Sequence, residues 1–299
     1  MTTPPICNYE GSNYQKSFWE RGGREYEDRC EAIALKRLLP RSGKLMLELG
    51  AGAGRNTPRY AGFERIVLLD YSRTQLRQAQ DRLGCSDRYI YVAADIYHLP
   101  FVDGLFDAAT MIRALHHMTE PWRALQQVRQ VLQPEAAFIL EFANKQNLKA
   151  ILRYLLRLQD WNPFTLDPVE FAELNFDFHP KAVYGWLRDV GFVIEKILNV
   201  SHFRVGFLKR VVPTGLLVFV DSLFQWTGAL WQLTPSVFIK SHVAPHMSRG
   251  LEIPVDPNAF FKCPQCGHKP LIEKRDHRVC PHCRREWRVR DGIYDFREP

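Results

Sequence analysis

Three short apolar runs, each closed by an acidic residue, constrain this chain more than any other feature. KLMLELG (44–50) carries Glu48, RIVLLD (65–70) ends in Asp70, and YIYVAAD (89–95) ends in Asp95. Two more runs follow, FDAATMI (106–112) and AAFILEF (136–142). Near-continuous apolar runs of this length are what strands buried on both faces of a parallel sheet require. Helix-like stretches separate them. Ser72–Leu83 opens on a serine suited to an N-cap, and Pro121–Leu132 opens on a proline suited to the first helical position. Alternating strands and helices imply an α/β fold with a doubly wound sheet, and such sheets bind ligands at the carboxyl ends of their strands.

The flanks read less regularly. Residues 1–43 form an N-terminal segment that is helical from Tyr26 to Leu39. A helix over Asn147–Leu158 leads into an aromatic-rich stretch to Pro180. Lys181–Val190 is a further helix, followed by the strand FVIEKILNV. Residues 203–235 resemble an insertion, and PSVFIKSHV closes a sheet domain spanning 44–243. Pro245, Pro254 and Pro257 mark 244–258 as a linker to a small module at 259–299. The 299 residues carry a net charge of +7, without a basic block. That excess permits an anionic partner and does not demand one. The N-terminus lacks a basic segment followed by an apolar stretch, so the expectation is a cytoplasmic protein.

After the first strand comes Gly50-Ala-Gly52-Ala-Gly54. Glycine lets a backbone turn sharply and approach a ligand where a Cβ would collide. The dinucleotide fingerprint needs glycine at position 55, where Arg55 stands, and no Gly-Lys-Ser/Thr of a phosphate-cradling loop is present. Asp70, twenty residues beyond Gly50, suits the two hydroxyls of a ribose. Asp95 suits an adenine amino group, with Ile96 against the ring. Any one of these acids alone reads equally well as a helix cap; three on successive strands with the glycine loop read as a nucleoside site.

LELGAGAGRNT, LLDYS, AADIYHLPFVDGLFDAATMIRALHHM and LQPEAAFILEF resemble the ordered motifs of class I S-adenosylmethionine-dependent methyltransferases. Within that class the resemblance is nearest to the ubiquinone- and menaquinone-biosynthesis subgroup. It implies a Rossmann-like seven-stranded sheet. It further implies that Glu48, Gly50, Gly52 and Gly54 line the methionine part of S-adenosyl-L-methionine, that Asp70 holds the ribose, that Asp95 and Ile96 hold the adenine, and that Tyr71 also belongs to the cofactor site. Arg113 lies in the loop after the fourth strand. His116 and His117, just beyond, are candidate general bases, against a structural reading in which they pack on the next helix. The N-P-P-Y type motif of certain amino-group methyltransferases is replaced by IRAL. The leading expectation is therefore methyl transfer to a small, apolar metabolite.

Two further segments keep other readings open. From Val211 to Ile239 the one charged residue is Asp221, yet two prolines and several polar residues interrupt the run, so no transmembrane segment is expected. An amphipathic helix packed on the core, a lid over an apolar acceptor, or a face in peripheral contact with membrane all fit. Cys263, Cys266, Cys280 and Cys283 form two C-x2-C pairs thirteen residues apart, a spacing suited to structural Zn2+ with no open coordination position. With REWRVRDGIYDF, these pairs resemble the small zinc-ribbon protein that activates several tRNA, rRNA and translation-factor methyltransferases. That resemblance implies a second class of acceptor, RNA or a translation protein, with the ribbon aiding stability or substrate presentation. A third reading is a regulatory protein that binds cofactor without catalysis.

Overall fold

In the computed structural model the described residues are 4–12, 15–20, 23–245 and 253–297, so residues 246–252 of the expected linker lie outside them. The apolar runs form parallel strands β1 (Gly43–Leu49), β2 (Phe63–Asp70), β3 (Tyr89–Ala93), β4 (Phe106–Met111) and β5 (Leu132–Ala143). Helix α1 (Glu25–Leu38) precedes them, and α2 (Arg73–Leu83) and α3 (Pro121–Val131) cross between them. The Ser72 hydroxyl accepts the Gln75 N–H, and Pro121 occupies the first turn of α3, as the sequence signals require. Beyond β5 come α4 (Leu148–Leu155), a hairpin of β6 (Val169–Ala172) and β7 (Asn175–Asp177), α5 (Pro180–Asp189) and β8 (Phe192–Val200). Next are α6 (Gly206–Val211), α7 (Thr214–Phe224) and β9 (Ser236–Val243).

The sheet is larger than the seven strands expected. Its order is β10-β11-β12-β13-β3-β2-β1-β4-β5-β9-β8, eleven strands in all. Seven belong to residues 43–243, with β9 antiparallel to both neighbours. The other four come from the cysteine-bearing segment: β10 (Ile272–Glu273), β11 (His277–Val279), β12 (Glu286–Arg290) and β13 (Ile293–Asp295). Strand β13 pairs in parallel with β3, Ile293 opposite Tyr91 and Asp295 opposite Ala93, and the Phe296 N–H continues the ladder to the Ala93 carbonyl. An edge with unpaired backbone groups is thereby covered by the same chain.

The join is also apolar. Phe261 packs on Phe101, Tyr294 and Phe296, and Val102 N–H bonds the Phe260 carbonyl. One buried cluster runs from Leu45 and Val67 beneath the sheet to Phe260, Cys263, Cys280 and Trp287. The terminal module therefore shares the hydrophobic core of the sheet. On the other face, α7 lies on α1: buried Asp221 accepts from the Tyr26 hydroxyl at 2.8 Å and from the His202 N–H at 2.7 Å, while Gln225 Nε2 donates to the Cys30 carbonyl. Burial pushes the Asp221 carboxyl up, but the bonds from His202 and Tyr26 outweigh it and leave it lowered and ionised.

Candidate cofactor site

The carboxyl ends of β1, β2, β3 and β4 open onto one cleft of about 1080 Å³, part of it open to solvent. Its floor holds Glu48, Gly50, Gly52, Asp70, Asp95 and Arg113. Tyr71, Ile96 and His117 line it as well. The sequence reading thus brought nine of its residues to one cavity. Gly54 and His116 do not line it. A Cβ on Gly54 would stand 2.8 Å from Leu83 and 3.3 Å from Ala79, so this glycine lets the loop pack on α2.

The loop is built for close approach. Gly50 and Gly52 have φ of +66° and +54°, and a Cβ on Gly50 would meet Ala114 at 2.6 Å. The Gly52 N–H donates to Asp70 Oδ2 at 2.8 Å, and the Ser72 N–H donates to Oδ1 at 2.9 Å. Asp70 is thus fixed by backbone from both strand ends, with each oxygen keeping a lone pair for a ligand. Burial pushes its carboxyl upward against those two bonds. Burial also lifts Glu48 to about 7, although the Thr57 hydroxyl donates to it at 2.6 Å. Asp95 caps the short helix after β3 through the Tyr97 N–H at 2.9 Å and meets His98 Nδ1 at 3.0 Å. The cap reading and the ligand reading therefore share one carboxylate.

Arg113 sits at φ +56°, its N–H donating to buried Glu141 at 2.9 Å. Its guanidinium meets Glu31 at 2.6 Å, and Arg55 reaches the same carboxylate at 2.8 Å. Burial alone would raise Glu31, but the two arginines overcome it and hold the carboxyl down at about 2.

A roof completes the site, and sequence reasoning missed it. Residues Pro5, Ile6, Cys7, Tyr9 and Trp19 line the cleft from above. The Arg55 guanidinium lies 3.5 Å from the Trp19 ring centroid, and Arg113 lies 5.1 Å from it. Glu10 anchors the strap at the start of α2, accepting from the Arg73 and Thr74 N–H groups. From the other end of the chain, Arg297 donates to Glu10 at 3.1 Å and to the Tyr71 carbonyl at 3.2 Å. The cluster of aromatic residues before α1 was the one available signal. No residue of 203–235 lines the cleft among the described residues.

His117 is held at both ring nitrogens. Nδ1 bonds the Leu174 carbonyl at 3.0 Å, which places a proton there, and Nε2 faces the Tyr9 hydroxyl at 3.2 Å. His116 packs against its ring at 4.0 Å between centroids. Burial lowers both imidazoles, which stay neutral.

A strand order of 3-2-1-4-5 with an antiparallel strand beyond it, a glycine loop after β1 and acids closing β1 to β3 define a class I S-adenosylmethionine-dependent methyltransferase. A methyltransferase-domain family model matches residues 47–140. The ubiquinone/menaquinone biosynthesis C-methyltransferase UbiE of Saccharophagus degradans is 31% identical over 195 residues, covering 58% of this chain and 76% of the relative. The 27-O-demethylrifamycin SV methyltransferase of Amycolatopsis mediterranei is 29% identical over 132 residues, 42% of this chain and 48% of its own length. Among solved structures, that of a complex of the Haloferax volcanii Trm112 methyltransferase activator with a methyltransferase matches at a TM-score of 0.55 and 15% identity, covering 78% of this chain and 96% of that one. The chain belongs to the UbiE family of methyltransferases and is an S-adenosylmethionine-dependent methyltransferase.

Proposed function

We propose that this enzyme transfers a methyl group to a small, apolar metabolite, with the cleft at 48–118 as its cofactor site. The observation that carries the reading is the convergence of Glu48, Asp70 and Asp95 beneath a roof of Tyr9 and Trp19, beside His117. The curated relatives support the acceptor class: several are named for quinone biosynthesis and one for rifamycin. The cradle fits S-adenosylmethionine, because a Cβ on Gly52 would meet nothing nearer than Gln75 at 3.9 Å and Asp70 retains free lone pairs. When bound, that cofactor supplies a methyl activated by a sulfonium. Glu48 would take the methionine ammonium, Asp70 and Tyr71 the ribose, and Asp95 and Ile96 the adenine. The strap excludes water and fixes the line of approach, which is where much of such an acceleration arises.

Of the two histidines, His117 is the better placed base. It lines the cleft, it is neutral, and its Nε2 carries the lone pair. His116 supports it by packing. Replacement of each by glutamine separates them: kcat falls in His117→Gln and holds in His116→Gln. Undiminished turnover in both ends the assignment. For the acceptor, labelled cofactor is incubated with lipid, RNA and protein extracts. Label in the organic phase is expected.

Label in RNA or protein would favour the second reading, in which the ribbon presents a macromolecule. Its specific support is Arg297, which brings the terminal module to the Tyr71 carbonyl at the cleft margin. The likeness to a methyltransferase solved with its activator is likeness of fold.

We also assign structural zinc to Cys263, Cys266, Cys280 and Cys283. Their sulfurs all lie within 4.8 Å of one another, with closest pairs at 3.6 and 3.5 Å. Zinc–sulfur bonds of about 2.3 Å in a tetrahedron place sulfurs about 3.8 Å apart, so the donor set fits. Each pair turns through a residue of positive φ, Gly267 at +73° and Arg284 at +62°. Elemental analysis should find one zinc per chain, and Cys280→Ser should lose it and melt well below wild type. A metal-free preparation with unchanged melting would reject the assignment.

A further inference from the structure

We infer that residues 148–158 and 211–233 form a face that docks on an anionic lipid bilayer. The helix α7 buries Leu217, Val218 and Asp221 against α1, and it leaves its other side apolar and open. Leu216, Phe219 and Leu223 are more than half exposed, and beyond the helix so are Leu230, at 74%, and Trp231. Helix α4 likewise exposes Leu152, at 48%, and Leu155, at 66%. The two segments adjoin at Leu148 and Leu233, both themselves partly exposed. The Leu148 N–H donates to the Leu233 carbonyl at 2.8 Å, and Asn144 Nδ2 bridges the carbonyls of Gln232 and Thr234. A soluble monomer rarely leaves such a contiguous apolar area uncovered.

Charge selects the occupant. Lys149, Arg153 and Arg157 on and after α4, and Arg210 at the end of α6, are exposed, and none enters an ion pair among the described residues. Across 148–158 and 203–235 the one acid is Asp221, which is buried and hydrogen-bonded. Aromatic and leucine side chains interleaved with unpaired cations match the boundary between acyl chains and anionic headgroups. A second copy fits worse, because a two-fold interface would set these like charges against one another. No helix of the described residues is long and apolar enough to cross a membrane, so the contact is one of surface. The inference goes beyond the proposed function and does not depend on which acceptor the cleft takes.

The test is flotation of the full chain with vesicles rich in phosphatidylglycerol and with vesicles of phosphatidylcholine alone. The chain should rise with the anionic vesicles and far less with the neutral ones. Two variants probe the two parts of the face, Leu230→Ser/Trp231→Ser and Lys149→Gln/Arg153→Gln/Arg157→Gln. Each should lower the bound fraction at least about tenfold, with unchanged binding of S-adenosylmethionine showing that the fold is intact. A chain that stays down with both vesicle types, or variants that float like wild type, would overturn the inference. So would light scattering that shows a dimer dissolved by the Leu230→Ser/Trp231→Ser change, since a second copy would then cover the face.

Discussion

The floor and the roof of the cleft are built by different means. The floor is made of strand ends: Gly52 and Ser72, in the loops that follow β1 and β2, fix Asp70 through backbone N–H groups, and the strands beneath lie in a buried parallel sheet. The roof, Pro5, Ile6, Cys7, Tyr9 and Trp19, is held by side chains, with Arg55 on Trp19 and Glu10 between α2 and Arg297. Backbone-anchored groups keep their geometry when a neighbour changes. Groups held by a few side chains at the surface open on smaller perturbations. The floor should therefore set whether cofactor binds, and the roof how well water is kept out.

Breaking the floor should have the largest effect. Asp70→Ala removes the acceptor of two backbone bonds and the proposed ribose contact, and calorimetric titration should show affinity for S-adenosylmethionine about tenfold to a hundredfold weaker. Equal affinity would refute the role given to this acid. The next effect is that of pH on the same wall. Glu48 holds its proton up to about 7 in the free protein, and a cationic ligand would bind the ionised form and release that proton. Affinity should then rise with pH from about 5 to 7, at a slope approaching tenfold per unit, and flatten above. Glu48→Gln should remove the slope. Because the folded value lies above the unfolded one, the free protein should lose stability over that same window as pH climbs.

Roof changes should be milder. Trp19→Ala deletes the ring beneath Arg55 and Arg113 and should weaken cofactor binding about fivefold, with faster proteolysis of the strap as a second readout. Arg297→Ala should cost least, about twofold in affinity or ~0.5 kcal/mol, because its partners Glu10 and Asp295 are partly exposed. An Arg297 effect as large as that of Asp70 would mean that the terminal module belongs to the site's floor.

The same contrast explains what the sequence could show. A buried parallel strand needs a near-continuous apolar run, and a ligand-facing strand end needs a short acid or a glycine, so β1 to β5 and the cleft floor were legible residue by residue. The strap carries no periodicity. Tyr9 and Trp19 meet the site through tertiary contacts, and only their aromatic character marked them. The aromatic-rich stretch before Pro180 holds the β6–β7 hairpin, whose Leu174 carbonyl fixes the tautomer of His117. Cysteine spacing announced that four thiols would meet, but nothing in IYD announced that it would pair with β3, since a parallel register depends on a partner two hundred residues away. The stretch 203–235 stayed open to three readings for a related reason. Its apolar pattern specified a buried face, which α1 supplies, and left the destination of the other face open.

The β3–β13 pairing sets a timetable for synthesis. Strand β3 presents Tyr91 and Ala93 to partners that emerge about two hundred residues later, roughly 10–40 s at ordinary elongation rates. Over roughly the last fifty of those residues, once β9 has emerged, a nascent chain has a nearly complete sheet with an open, apolar edge, the condition in which strands recruit wrong neighbours. Metal capture by the four cysteines, by organising β11 to β13 as they appear, would shorten the exposure. Under metal limitation the newly made protein, more than the mature one, would then be the species at risk.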